Sequence, residues 1–276
     1  ANNDVMARAQ TGTGKTAAFA LPLLSNLMVE NGEKKQVSIL VLVPTRELAQ
    51  QVSNSFNAYG KYCQTKSAMI YGGVSINAQI EQLKQGVDIL VATPGRLIDL
   101  LTNNHVNLNA IQTLVLDEAD RLLDLGFKDE IEKIFEYLPA KHQTLLFSAT
   151  FDDAIFKLSK KFLHEPEVIS VDDVNTVANK VEQIVYTVDE DRKRELTSYL
   201  IGSNNWQQVL IFIRTKKAAD ELAKEMCKDG IKTLSLHGDK SQGAREKSLA
   251  EFKQGKCRAL VATDVAARGL DIVDLK

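Results

Sequence analysis

Short aliphatic and β-branched runs alternate with helix-length amphipathic stretches along the whole chain, and this alternation constrains the fold more than any other feature. The runs Ile39–Val43, Lys66–Ile70, Ile89–Ala92, Thr113–Leu116 and Thr144–Phe147 read as strands, as do Gln183–Val188, Val209–Ile213, Thr233–Leu236 and Ala259–Ala262. Between them, Arg46–Ala58, Phe127–Leu138, Ala154–Phe162, Arg192–Ile201 and Lys216–Lys228 carry helical spacing. Strands that are apolar without interruption are buried on both faces. The predicted class is therefore α/β, with mostly parallel sheets covered by helices on both sides. Residues 166–180 break the rhythm, opening on Pro166 and running through Asp172, Asp173 and Asn175. They read as a linker between a first domain, 1–165, and a second, 181–276.

The two halves echo each other. Lys84-Gln85-Gly86 precedes Leu90-Val91-Ala92-Thr93 as Lys253-Gln254-Gly255 precedes Leu260-Val261-Ala262-Thr263. Val41–Thr45 entering a helix parallels Ile211–Thr215 entering another, and Tyr71-Gly72-Gly73 parallels Leu236-His237-Gly238. Shared elements in the same order imply two copies of one fold. The second copy stops short of strands its twin possesses, and the chain starts without Met, so a longer parent protein is expected.

Composition excludes several functions. The 34 Lys and Arg against 36 Asp and Glu leave a net charge of −2, so any nucleic-acid partner must be held by a local surface rather than a bulk field. Cys63, Cys227 and Cys257 lie far apart with no CxxC pair, which argues against a disulfide framework or zinc ribbon and suits a cytoplasmic protein. His105, His142, His164 and His237 form no HExxH spacing, so a zinc enzyme is not expected. No run approaches the roughly 18 apolar residues of a membrane span, and Ala1-Asn2-Asn3-Asp4 is unlike a signal peptide.

Two segments carry phosphate chemistry. Ala9-Gln10-Thr11-Gly12-Thr13-Gly14-Lys15-Thr16 follows the apolar run Val5-Met6-Ala7 and precedes a helical stretch from Thr16 to Met28. In that strand–loop–helix context, glycines let successive N–H groups point inward, Lys15 reaches the β/γ-phosphates and the Thr16 hydroxyl faces Mg²⁺. Asp117-Glu118-Ala119-Asp120 follows the strand Thr113–Leu116. Asp117 is placed to hold Mg²⁺ and Glu118 to orient and deprotonate an attacking water. Pro44-Thr45-Arg46-Glu47-Leu48-Ala49, Gly72-Gly73 and Thr93-Pro94-Gly95-Arg96 all follow strands of the first half. Their hydroxyls, backbone N–H groups and arginines suit phosphate contacts, but Thr45 and Thr93 suit helix N-caps equally well. Ser148-Ala149-Thr150 ends another strand, where its hydroxyls can reach the carboxylates, or Thr150 or Asp152 can cap a helix.

Together with Ala262-Thr263-Asp264-Val265-Ala266-Ala267-Arg268-Gly269-Leu270-Asp271, these motifs stand in the order of the DEAD-box ATP-dependent RNA helicases, which the chain resembles over nearly its whole length. Ala9, in place of the first glycine of the general phosphate loop, matches that family. The resemblance implies two RecA-like domains, the second incomplete. It implies ATP on Gln10, Thr11, Gly12, Thr13, Gly14, Lys15, Thr16 and Asp271, with Mg²⁺ on Thr16 and Asp117. It implies RNA held through its sugar-phosphate backbone by Pro44, Thr45, Arg46, Gly73, Thr93, Arg96, Gly238 and Thr263. It also implies coupling of hydrolysis to unwinding through Ser148, Thr150, Asp120 and Arg268. The family's adenine-reading glutamine motif would lie before Ala1, and its arginine-finger motif beyond Lys276. A DNA translocase of the same architecture, a clamp without turnover and a P-loop fold with no RNA role are the alternatives.

Overall fold

The computed structural model describes residues 3–9, 13–29, 36–171, 182 and 184–263. The chain forms two compact units, Ala1–Lys180 and Val181–Lys276. In the first, strands β1 (Val5–Arg8), β2 (Ile39–Leu42), β3 (Ser67–Ile70), β4 (Ile89–Ala92), β5 (Thr113–Leu116), β6 (Gln143–Ser148) and β7 (Glu167–Ser170) make one sheet. Its order is β3-β4-β2-β5-β6-β1-β7, and every pairing is parallel. Helices α1 (Lys15–Val29), α2 (Arg46–Tyr59), α3 (Ile76–Lys84), α4 (Pro94–Thr102), α5 (Ala119–Asp124), α6 (Lys128–Glu136) and α7 (Asp153–Phe162) make the crossovers.

Alternation along the strands divides the core between two faces. Leu40, Leu42, Leu90, Leu114, Leu116 and Leu146 pack with Leu97 and Leu100 of α4, Leu122 of α5, Ile131 of α6 and Ile155 of α7. Ile39, Val41, Ile89, Val91, Val115 and Phe147 pack with Phe19 and Leu23 of α1 and Val52 and Phe56 of α2. Both sides of each central strand are thus removed from water, which explains the unbroken apolar runs. The register Ile70↔Ala92↔Leu42↔Leu116↔Leu146 aligns the carboxyl ends of β3, β4, β2, β5 and β6. The loops that follow these strands emerge along a single edge, where open parallel sheets bind ligands.

β7 revises the linker reading. Residues 167–170 pair with β1 as an edge strand, so the first sheet extends into the segment read above as linker. Four residues directly after Pro166, with side chains exposed throughout, carry too little apolar pattern to register as a strand. Asp4 anchors the arrangement. Its buried carboxylate accepts the Thr144 N–H at 2.6 Å and the His164 N–H at 2.7 Å, and its carbonyl accepts the Glu167 N–H at 2.8 Å. Asp4→Ala strips partners from two backbone donors and is expected to cost about 2–4 kcal/mol. Urea unfolding of the variant checks this; an unchanged midpoint would contradict it.

The second unit holds α8 (Lys193–Ser203), β8 (Val209–Ile213), α9 (Lys216–Lys228), β9 (Thr233–Leu236), α10 (Gln242–Lys253) and β10 (Ala259–Thr263). Its described strands form a parallel sheet of order β8-β10-β9, the same arrangement as β2-β4-β3. The sequence echo has local causes. Thr45 and Thr215 each cap a helix by accepting an N–H three residues on, both at 3.2 Å. The glycines of the two Lys-Gln-Gly triplets end helices with left-handed φ, 74° at Gly86 and 67° at Gly255. The expected strand Gln183–Val188 does not form at its described residues. Ile184, Val185 and Tyr186 are exposed and lie outside both sheets, because a β-branched run becomes a strand only beside a partner.

Candidate active site

The edge defined by the strand register brings together most of the residues singled out from sequence. Lys15 opens α1, and Gly14 before it has φ +88°, a left-handed turn that favours glycine. Lys15 is only 9% exposed, and its ammonium nitrogen is buried with no hydrogen-bond partner among the described residues. A buried cation without a partner at a helix N-terminus suits an anionic ligand. Thr16 lies in the same first turn, while Gln10, Thr11 and Gly12 fall outside the described residues.

Asp117 follows β5, and its N–H donates to the Leu42 carbonyl at 3.0 Å. Burial pushes its carboxyl up to about 6. The Lys15 charge opposes that rise, the Glu118 charge adds to it, and the Glu118 N–H on Oδ1 at 3.0 Å opposes it again. Lys15 and Asp117 therefore feel each other's field without a direct hydrogen bond. Their juxtaposition fits a phosphate and a hard cation, since Mg²⁺ takes only one or two protein ligands beside phosphate oxygens and water.

The raised value has a consequence for stability. A carboxyl that ionises later in the folded than in the unfolded chain stabilises the fold at low pH, and that contribution is lost as pH rises through about 6. Asp117→Asn, which mimics the protonated form, is expected to raise stability by on the order of 1–3 kcal/mol at pH 8 and by nothing near pH 4. Thermal melts at both pH values check this, and a lower melting temperature for the variant at pH 8 would contradict it.

Glu118 is a non-glycine residue at φ +53°, and it is buried. Its Oε2 forms an ion pair with Nη1 of Arg121, one turn further on. Asp120 accepts the Arg121 N–H on Oδ1 at 3.0 Å and the Thr150 hydroxyl on Oδ2 at 3.4 Å. The Thr150 N–H donates to Ser148 Oγ at 3.3 Å, and the Ser148 carbonyl accepts the Ala9 N–H at 3.0 Å. A continuous path of hydrogen bonds and chain thus runs from the stem of the Lys15 loop to Asp120. Capping of α7 falls to Asp152, which accepts the Ile155 N–H at 2.9 Å.

Further along the same edge lie the loops after β2, β3 and β4. Gly73 has φ +79°, and a Cβ there would fall 2.1 Å from Nη2 of Arg46. The Arg46 guanidinium sits 6.0 Å from the Tyr71 ring centroid. Arg96 Nη2 donates to the Val74 carbonyl at 3.0 Å, while its buried Nε, in an ion pair with Asp99 at 3.9 Å, and its Nη1 have no hydrogen-bond partner among the described residues. Thr45 caps α2, whereas the buried Thr93 makes no capping bond to α4. Pro44 is buried behind them. In the second unit, Gly238 lies against Lys216, whose ammonium pairs with Asp239 at 2.6 Å, and Thr263 ends β10. Arg268 and Asp271 fall outside the described residues. Sequence reasoning missed Arg121 and Tyr71; only the i+3 spacing from Glu118 marked the former.

Residues 1–158 match the family model described as DEAD/DEAH box helicase, and residues 191–276 match the helicase conserved C-terminal domain. The chain is 43% identical over 269 residues to the DEAD-box ATP-dependent RNA helicase RhpA of Helicobacter pylori, covering 98% of this chain and 54% of that protein. It is 42% identical over 271 residues to CshA of Bacillus subtilis, covering 98% of this chain and 54% of that relative. The chain thus spans about half the length of these relatives. Among solved structures, Dbp5 of S. cerevisiae bound to RNA and ADP BeF3 superposes with a TM-score of 0.82 at 31% identity, covering 98% of this chain and 68% of that one. A DEAD box protein from Methanococcus jannaschii gives 0.58 at 38% identity, covering 98% and 72%.

Proposed function

The chain belongs to the DEAD/DEAH box helicase family, and from that premise we propose that it is the core of an ATP-dependent RNA helicase, coupling ATP binding and hydrolysis to RNA binding and local duplex unwinding. One observation carries the reading: a buried Lys15 ammonium, without a hydrogen-bond partner among the described residues, and a buried Asp117 carboxylate share a sheet edge with Glu118. Lys15 would bind the β/γ-phosphates, and Thr16 and Asp117 would hold Mg²⁺. Mg²⁺ held there would supply positive charge to offset that of the phosphates. Glu118 would orient the attacking water and accept its proton. Gln10, Thr11, Gly12, Thr13 and Gly14 would complete the phosphate cradle, and Asp271 would contact the ribose from the second RecA-like unit.

Arg46 and Arg96, beside Thr45, Gly73 and Thr93, would hold RNA phosphates, with Gly238 and Thr263 serving in the second unit. Contacts of this kind to phosphates and sugars would suit binding without sequence preference. The Ser148–Thr150–Asp120 path supports a coupling role for those residues, with Arg268 joining them. We place the protein in the cytoplasm, a reading supported by three free cysteines; no helix of the described residues is long and apolar enough to cross a membrane.

ATPase titrated with matched RNA and DNA strands, using the full-length gene product, tests the partner. Stimulation by RNA but not DNA is expected, and equal stimulation would favour a DNA-tolerant translocase. Ser148→Ala with Thr150→Ala is expected to keep ATPase and lose strand separation. Equal loss of both activities would argue against coupling through this path.

A further inference from the structure

We propose that Arg121 is a positioning residue for the Glu118 carboxylate, an inference that rests on the assignment of Glu118 as the base. Arg121 is 93% buried as judged by its 7% exposure, and its Nη1 pairs with Glu118 Oε2. Its Nε and Nη2 are buried without hydrogen-bond partners among the described residues. A guanidinium kept in the interior with two donors unpaired lowers the stability of the fold, so packing alone does not account for it. Its one ion pair among the described residues is with the Glu118 carboxylate. Glu118 takes a left-handed φ at the start of α5, and Arg121 follows at i+3, one turn along the same helix.

The geometry divides the two carboxylate oxygens. Oε2 is held by Arg121, while Oε1 takes no hydrogen bond from a described residue and is the oxygen left to accept a proton. An unheld glutamate at the mouth of a strand would sample several rotamers. A base is effective only within hydrogen-bond reach of its water, and a displacement of about 1 Å is enough to cost roughly 100-fold in rate. Asp120 fixes the other end of the clamp by accepting the Arg121 N–H at 3.0 Å. The contact between Thr150 and Asp120 then joins this clamp to the Ser148 segment, so a shift of that segment would be felt at Glu118 through Arg121.

The test uses the full-length gene product with saturating RNA, comparing Arg121→Met, Arg121→Lys, Glu118→Gln and the double variant Arg121→Met with Glu118→Gln. Arg121→Met is expected to lower kcat by about 10- to 100-fold with KM for ATP and RNA affinity within about twofold of wild type. Arg121→Lys, which keeps the charge without the planar fork, should fall between the two. Added to Glu118→Gln, Arg121→Met should cause no further loss. A wild-type kcat for Arg121→Met, a rise in KM equal to the fall in kcat, or the same further loss on the Glu118→Gln background would each overturn the proposal. Should Arg121→Met not fold, Arg121→Lys decides alone: reduced kcat at unchanged KM supports positioning, and wild-type kcat overturns it. Wild-type turnover by Glu118→Gln would instead remove the base assignment, and the proposal with it.

Discussion

Lys15→Ala is expected to weaken ATP binding by about 30- to 1000-fold, read as the shift in midpoint when the full-length gene product is titrated with a fluorescent ATP analogue and Mg²⁺. The magnitude follows from the contact removed. A charge-assisted hydrogen bond to phosphate in a water-poor site contributes about 1.5–3 kcal/mol, and the lost field adds to it; each 1.4 kcal/mol is tenfold in affinity. Among the described residues Lys15 has no hydrogen-bond partner to lose. The substitution should therefore leave the fold nearly unchanged while removing from the site the cation whose charge acts on Asp117. Binding within threefold of wild type would show that the phosphates are held elsewhere.

Glu118→Gln separates binding from chemistry. The amide keeps the shape of the side chain and an oxygen for Arg121, but it cannot take a proton from water. General-base catalysis is worth roughly 10²–10⁴-fold, so kcat is expected to fall by about that factor while ATP and RNA affinities stay within a few-fold of wild type. A single-turnover hydrolysis assay beside equilibrium RNA binding provides both numbers. Turnover at the wild-type rate would exclude Glu118 as the base.

Much of this site was legible before the fold. The proposed phosphate loop, the Asp117–Asp120 segment and the three segments proposed for phosphate contact each follow an apolar run. A parallel sheet brings the carboxyl ends of such runs to one edge, so their convergence follows from strand polarity alone. The internal echo was legible for a similar reason. A threonine N-cap and a left-handed glycine after a helix are local requirements, and local requirements are written in adjacent residues. What escaped was non-local. The place of β1 between β6 and β7 depends on pairing across more than 130 residues, and β7 holds its edge through β1 and Asp4 rather than through any pattern of its own. Residues 184–188 erred in the opposite direction, carrying the pattern without pairing to a described strand. The left-handed turn at Glu118 and its grip by Arg121 were equally hidden, because Asp-Glu-Ala-Asp-Arg at a strand end reads as an ordinary acidic helix start.

The claim beneath all of this is that the carboxyl edge of the first sheet grips a triphosphate and its metal. A crystal structure of the full-length gene product grown with Mg²⁺ and ADP with beryllium fluoride measures it directly. The account predicts the terminal phosphoryl mimic within hydrogen-bond reach of the Lys15 ammonium, with Mg²⁺ linked to Asp117 directly or through one water. Nucleotide density at any other place in the molecule, or a metal with no connection to Asp117, would contradict it.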